Sequence, residues 1–365
     1  AEKTVLVEAG GPVLAGLSLS GDGRVLAFEG ELPRHPDEVF VLGGPHHEPT
    51  RLTDSNPWLA RVDLGEQEVV RFTARDGLEI EGVLLHPVHR GAGERVPLIL
   101  YVHGGPESHH SNGWHTRYSD PGHVWAGLGG AVFYTNYRAS TGYGVPFSKA
   151  DHGDFAGAEF DDLVDAVDHL IERGLVDPGR VGVTGGSYGG YATGWLSTRY
   201  TDRFAAGVMF VGISNNISKF GTSDIPEEMY LVHQRKRTFD EWQFFLERSP
   251  IYHAGQAKTP LLILHGEDDP RVNVGQSREL YRHIKTRTDT PVRLVLYPGE
   301  KHGNRRAAAR YDYNLRMLRW MRHYLMGPGG AKPAPMLDYP LEPEVEPMPA
   351  SETAAPAAPA AVGEG

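Results

Sequence analysis

Short, unbroken apolar runs such as Leu98-Ile-Leu-Tyr-Val102 and Leu261-Leu-Ile-Leu264 leave this chain few folds. Each is of strand length and lacks the polar alternation of a strand with one wet face. Both faces must then be buried, as in a parallel sheet covered by helices. Strands are expected at 78–85, 97–102, 131–136, 180–184, 205–211, 260–265 and 291–297. Helical patterns fall between them, at 159–173, 188–199, 239–248, 274–285 and 305–326. Strand and helix alternating over residues 75–326 mean an α/β domain with a doubly wound, mostly parallel sheet. In such a sheet, ligands bind beyond the carboxyl ends of the strands.

Residues 1–74 read differently. Short strands separated by turns are expected at 4–8, 25–29 and 38–42, with 69–72 joining onward. Leu17-Ser-Leu-Ser-Gly-Asp-Gly-Arg-Val-Leu-Ala-Phe28 is a strand, a Gly-Asp-Gly turn and a second strand. Such a unit fits a β-propeller blade, which takes roughly 40–45 residues and needs neighbours to bury its faces. The segment reads as a propeller-blade-like remnant; the alternative is a small β appendage on the next domain. The chain has no initiator Met and no charged-then-apolar leader, so its start reads as internal, as in a fragment or a processed product. The last 39 residues hold nine of the 27 Pro, six acids and one base. Such a segment buries too little apolar surface to offset its ordering entropy, so 327–365 is expected to be a disordered tail.

Charge and composition exclude several classes of function. Net charge is −11, so no basic excess exists to meet phosphates, and nucleic acid is not an expected partner. No apolar run approaches 18 residues, so no membrane span is expected. The absence of Cys removes disulfides, thiolate metal sites and Cys nucleophiles together, and leaves the compartment open between cytoplasm and periplasm.

The strongest chemical signal is Val181-Gly-Val-Thr-Gly-Gly-Ser-Tyr-Gly-Gly190. It is G-x-S-x-G between an expected strand and an expected helix. A turn this tight strains the nucleophile's backbone and demands neighbours without bulk, which Gly185 and Gly189 supply. Ser187 then stands above the sheet at a helix N-terminus, where the Tyr188 N–H can meet an oxyanion. A serine nucleophile needs a base, and the base needs an orienting carboxylate. Three acids in His265-Gly-Glu-Asp-Asp-Pro-Arg-Val272 follow one strand, and His302, in Pro298-Gly-Glu-Lys-His-Gly303, follows the next. The order Ser187, an acid near 267–269, then His302 is that of α/β-hydrolases. Spacing alone does not choose between Asp268 and Asp269. A second oxyanion donor is expected after an early strand, in His103-Gly-Gly-Pro-Glu107, and is assigned to the Gly105 N–H. His103 is expected to be a buried structural histidine. An imidazole base must be neutral to act, which predicts a rate that falls on the acid side of roughly pH 6–7.

Other constellations carry less. No H-E-x-x-H occurs, so no metal site is expected. His46-His47 and His109-His110 are adjacent pairs that point apart and read as loop residues. Gly127-Leu-Gly-Gly130 leads into a strand rather than a helix and fails as a dinucleotide fingerprint. Leu315, Leu318, Trp320, Met321 and Leu325 are expected to form the core face of the last helix.

Six motifs occur in order: His103-Gly-Gly-Pro106, Asn136-Tyr-Arg-Ala-Ser-Thr-Gly-Tyr-Gly144, Gly153-Asp-Phe-Ala-Gly157, Gly185-Gly-Ser-Tyr-Gly-Gly190, His265-Gly-Glu-Asp-Asp-Pro-Arg-Val272 and Lys301-His-Gly303. Together they resemble the prolyl oligopeptidase family of serine peptidases, in its acylaminoacyl-peptidase and dipeptidyl-peptidase-like branches, over roughly 75–326. The resemblance implies an α/β-hydrolase fold and selects Asp269, which stands four residues after the strand-end His and two before Arg. It gives Arg271 a role in contacting substrate carbonyls, and it implies an N-terminal propeller. Ala139 stands where the family usually has Gly, and Phe155-Ala156 stand where it has Trp-Gly. The expected function is peptide hydrolysis through Ser187, Asp269 and His302, with a peptide as partner and with no metal or organic cofactor. A homo-oligomer is allowed for. Two rival readings stand beside it: an esterase or lipase-like hydrolase of small molecules, and an inactive hydrolase-fold binding module.

Overall fold

The computed structural model describes residues 5–8, 10–43 and 48–337. The chain divides into two units, Ala1–Pro333 and Ala334–Gly365, and the architecture below is that of the first. Residues 327–337 form no helix or strand, and the rest of the expected tail, like His46-His47, lies outside the described residues.

Residues 13–51 form a four-stranded antiparallel meander: β1 (Val13–Leu19), β2 (Leu26–Leu32), β3 (His35–Leu42) and β4 (Thr50–Arg51). Its core is small, with Phe28, Phe40 and Leu42 buried and Leu14 and Leu26 packed beside them. The turn between β1 and β2 is held by Ser20 and Asp22, as the Gly-Asp-Gly sequence requires. The strand expected over 4–8 does not form at 5–8, and Thr4 lies outside the described residues. Val5 is exposed and has no sheet face to bury.

The second sheet has eight strands in the order β12-β11-β10-β9-β7-β8-β6-β5. They are β5 (Gln67–Thr73), β6 (Glu79–Leu85), β7 (Val96–Val102), β8 (Ala131–Asn136), β9 (Val176–Gly186), β10 (Ala206–Phe210), β11 (Leu261–Gly266) and β12 (Val292–Tyr297). From β8 to β12 all neighbours are parallel; β6 joins β8, and β5 joins β6, antiparallel. The apolar runs that suggested two buried faces sit in the middle: Leu98, Ile99 and Leu100 are fully buried, as are Leu261, Ile263 and Leu264.

Nine α-helices are described: α1 (Gly122–Gly127), α2 (Val145–Ser148), α3 (Ala158–Glu172), α4 (Tyr188–Thr198), α5 (Asn216–Thr222), α6 (Trp242–Glu247), α7 (Pro250–His253), α8 (Gly275–Arg287) and α9 (Ala307–Leu325). A π-helical turn spans Met229–Gln234. Helices α3 and α4 pack through Phe160, Leu163, Tyr191 and Leu196 on one side of the sheet. Helix α9 packs on the other. Its buried stripe is Tyr313, Met317, Trp320, Met321 and Leu325; Leu315 and Leu318, expected in it, are only partly buried. Helix α6 is shorter than the expected 239–248, since Phe239 is exposed and its segment forms a turn.

Candidate active site

Strand β9 runs directly into α4, and Ser187 occupies the corner with φ +58° and ψ −117°. That left-handed backbone is costly for a residue with a side chain, by about 1–3 kcal/mol. It persists because the surroundings leave no alternative. A Cβ on Gly185 would lie 2.3 Å from the Val102 carbonyl oxygen, and one on Gly189 would lie 2.0 Å from the same atom. The Ser187 N–H is held by the Phe210 carbonyl at 3.0 Å.

The base comes from the loop after β12. His302 Nε2 lies 2.9 Å from Ser187 Oγ, and its Nδ1 lies 2.7 Å from Asp269 Oδ2. Asp269 stands in the loop after β11. The two loops are locked together: the Asp268 N–H bonds the Glu300 carbonyl at 2.9 Å, and the close approach of Lys301 leaves no room for a side chain at Gly266. Asp268 itself is exposed.

The carboxylate of Asp269 is buried and well satisfied. Oδ1 accepts from the Arg271 and Val272 N–H groups at 2.9 and 3.1 Å. Oδ2 also lies 3.2 Å from His265 Nε2. Burial alone would raise this carboxyl; His265, His302 and the Val272 N–H reverse that and hold it well below the usual carboxylate range. His265 is fully buried and is fixed by Ser277 Oγ at 2.6 Å and the Val272 carbonyl at 2.8 Å.

Across from the base, the loop after β7 packs onto the corner. A Cβ on Gly104 would come within 3.2 Å of Ser187 Cβ. Gly105 adopts φ +124°, which favours glycine. Neither the Gly105 nor the Tyr188 N–H donates a hydrogen bond among the described residues. His103 is buried, stacked on Tyr137 and bonded to Ser140 Oγ at 2.8 Å, and burial lowers its pKa to about 4. It is a neutral structural residue, as expected.

A cavity of about 360 Å³ opens beside Ser187 and His302. Phe155, Ile213 and Val272 line it, and so does Arg271, whose Nε bonds Asp224 Oδ1 at 2.7 Å. Gly105 and Tyr188 also line it, together with four ionisable residues, Glu107, Lys219, Glu228 and His233. Glu107 ends the quoted His103-Gly-Gly-Pro-Glu107 loop but was given no role there, and Lys219, Glu228, His233 and Asp224 carried no motif. The one local signal in that region was Asn215, whose side chain accepts from the Ile217 and Ser218 N–H groups and caps α5. His109 and His110 diverge, the first exposed and bonded to Thr141, the second packed among Tyr101, His103 and Tyr134. Among the described residues, no group of three or more His, Asp or Glu could hold a metal ion, and no helix is long and apolar enough to cross a membrane.

A serine on a strand-to-helix corner, with an acid and an imidazole following later strands of one parallel sheet, defines an α/β-hydrolase fold. Within that fold the chain belongs to the prolyl oligopeptidase family, whose model matches residues 116–327. It is 37% identical over 290 residues to the uncharacterized peptidase YuxL of Bacillus subtilis, covering 78% of this chain and 43% of that protein. It is 36% identical over 265 residues to dipeptidyl aminopeptidase BIII of Pseudoxanthomonas mexicana, covering 70% and 38%. The structure superposes on Pyrococcus horikoshii acylaminoacyl peptidase with a TM-score of 0.80 at 25% identity, covering 90% of this chain and 52% of the other. The chain thus spans roughly two fifths of these curated relatives' length.

Proposed function

We propose that this chain carries the catalytic machinery of a serine peptidase. The supporting observation is His302, whose two ring nitrogens lie within hydrogen-bond reach of Ser187 and Asp269 at once. Ser187 Oγ attacks the scissile carbonyl carbon while its proton passes to His302 Nε2. The C–O bond forms, and the carbonyl electrons become an oxyanion between the Gly105 and Tyr188 N–H groups. The C–N bond then breaks, and His302 returns the proton to the leaving amine. Water repeats the sequence on the acyl-enzyme and frees Ser187. Asp269 fixes the histidine tautomer and balances the imidazolium. Arg271, held by Asp224, is placed to meet substrate carbonyls. The four-stranded sheet of residues 13–51 is read as a propeller-like blade beside a peptidase domain that extends to about residue 326.

Fluorophosphonate labelling and paired substrates test this. Wild type should label, Ser187→Ala should not, and peptide anilides should be hydrolysed. Turnover of short p-nitrophenyl esters without anilide turnover would replace the peptidase reading with an esterase. Failure of wild type to label would replace it with an inactive binding module.

A further inference from the structure

We propose that the charged wall of the cavity beside Ser187, formed by Glu107 and Glu228, takes a positively charged nitrogen on the acyl side of the scissile bond. Two sources share that chemistry: a Lys or Arg side chain at P1, and a free α-amine. The inference rests on the peptidase reading of the same site.

The wall is layered. His233 Nδ1 lies 3.3 Å from Glu107 Oε1, its Nε2 lies 3.6 Å from Glu228 Oε1, and Lys219 Nζ lies 3.3 Å from Glu228 Oε2. The two cations are buried, with side-chain exposures of 2% for His233 and 6% for Lys219. The two acids stand in front, at 33% and 27%. Within this cluster the carboxylates are the more accessible groups. Apart from its own backbone N–H, Glu107 has His233 as its sole partner among the described residues, at a distance and angle that leave the His233 Nδ1 without an aligned hydrogen bond. Its carboxylate keeps acceptor capacity for a ligand.

A further pair of acids lies near the wall. Burial would lower His233, but Glu107 and Glu228 raise it to about 9, so it is an imidazolium at neutral pH. Asp151, 1% exposed, lies close enough to His233 to feel its charge, and among the described residues neither of its carboxylate oxygens has a hydrogen-bond partner. Burial raises Asp151 to about 6. Glu159, deeper still, is pushed by burial and by Asp151 to about 8 and stays neutral. Arg271 and Asp224 cancel one another. In the cavity wall Glu107 and Glu228 face Lys219 and His233, and Asp151 adds a buried acid near His233. Phe155, Ile213 and Val272 supply an apolar lining that suits the methylene stem of a long basic side chain.

Three p-nitroanilides compare the sources: N-acetyl-Lys, free-amine Leu and N-acetyl-Leu. We expect kcat/KM for N-acetyl-Lys, for free-amine Leu, or for both to exceed that for N-acetyl-Leu at least tenfold, the responding arm naming the source. Glu107→Gln should shrink that ratio at least fivefold. A preference for N-acetyl-Leu over both overturns the proposal, and so does a ratio that Glu107→Gln leaves intact in a folded variant. A second measurement needs only wild type. n-Butylammonium should protect Ser187 from fluorophosphonate at lower concentration than n-butanol, and equal or better protection by butanol also overturns it. If labelling itself fails, the peptidase reading falls first and this one with it. If labelling succeeds without cation selectivity, only this one falls.

Discussion

The reacting corner and the facing wall of the same cavity are built on different principles. Ser187, Asp269 and His302 follow β9, β11 and β12, so the position of each is inherited from a parallel ladder with regular register. The wall is drawn from α5, the π-helical turn at Met229–Gln234 and the tip of the β7 loop, and ion pairs rather than sheet hydrogen bonds hold it. A central strand of a ladder cannot move without its neighbours. A set of ion pairs can exchange members without disturbing the sheet. On the reading proposed above, reaction chemistry rests on the geometry of the sheet, and discrimination rests on charge balanced among side chains.

Substitutions at the two places should separate accordingly. Ser187→Ala should lower anilide turnover on the order of 10⁶-fold with an unchanged melting curve; a residual rate within 100-fold of wild type would break the division. Asp269→Asn should cost about 10⁴-fold in kcat by favouring the wrong histidine tautomer. It should also weaken the loop that its Oδ1 caps. Because the folded carboxyl is held low, the stability it contributes is present above its ordinary pKa and is lost as pH falls below that value. The Asn variant should therefore show a flatter acid limb in an unfolding titration.

At the wall the effect should fall on stability. His233→Gln leaves Glu107 and Glu228 without the charge between them and should destabilise the fold by about 3 kcal/mol, read by urea unfolding at pH 7. The wild-type pair has a defined pH window. Its full contribution holds below about 6.5 and is lost as pH rises through about 9. A melting temperature that falls over that range in wild type, and falls less in His233→Gln, sharpens the contrast. The smallest effect concerns two alanines. Ala139 and Ala156 have φ +84° and +51°, the left-handed region that Gly occupies without strain. Ala156→Gly should stabilise by about 1 kcal/mol or less, measured as a rise in melting temperature.

This division also explains what was legible beforehand. G-x-S-x-G is readable because a strand-to-helix corner admits so few residue types, and Gly185 and Gly189 had to lack side chains. His302 was readable by its place after a strand. Asp269 was not separable from Asp268 by spacing; it took a family resemblance, and in the structure the first is buried against two imidazoles while the second is exposed. The resemblance also marked positions 139 and 156 as usual glycines, and both have positive φ here. The wall was not legible. Glu228 and His233 stand five apart, the first at the N-cap of a π-helical turn and the second within it, a spacing that neither the 3.6-residue nor the two-residue period brings together. Glu107 reaches them from a segment more than 100 residues away in sequence. The core face of α9 was readable in its second half, where Trp320, Met321 and Leu325 are buried as expected; in its first half Tyr313 and Met317 are the buried residues, Leu318 packs beside them partly buried, and Leu315 is only partly buried.

His302 hangs from a loop after β12, the outermost strand of the sheet, whose residues 293–296 are only partly buried. Border strands open more readily than central ones. Fraying there would carry the imidazole away while the nucleophile stayed seated on β9. Warming or dilute urea should therefore silence turnover before circular dichroism registers any loss of fold.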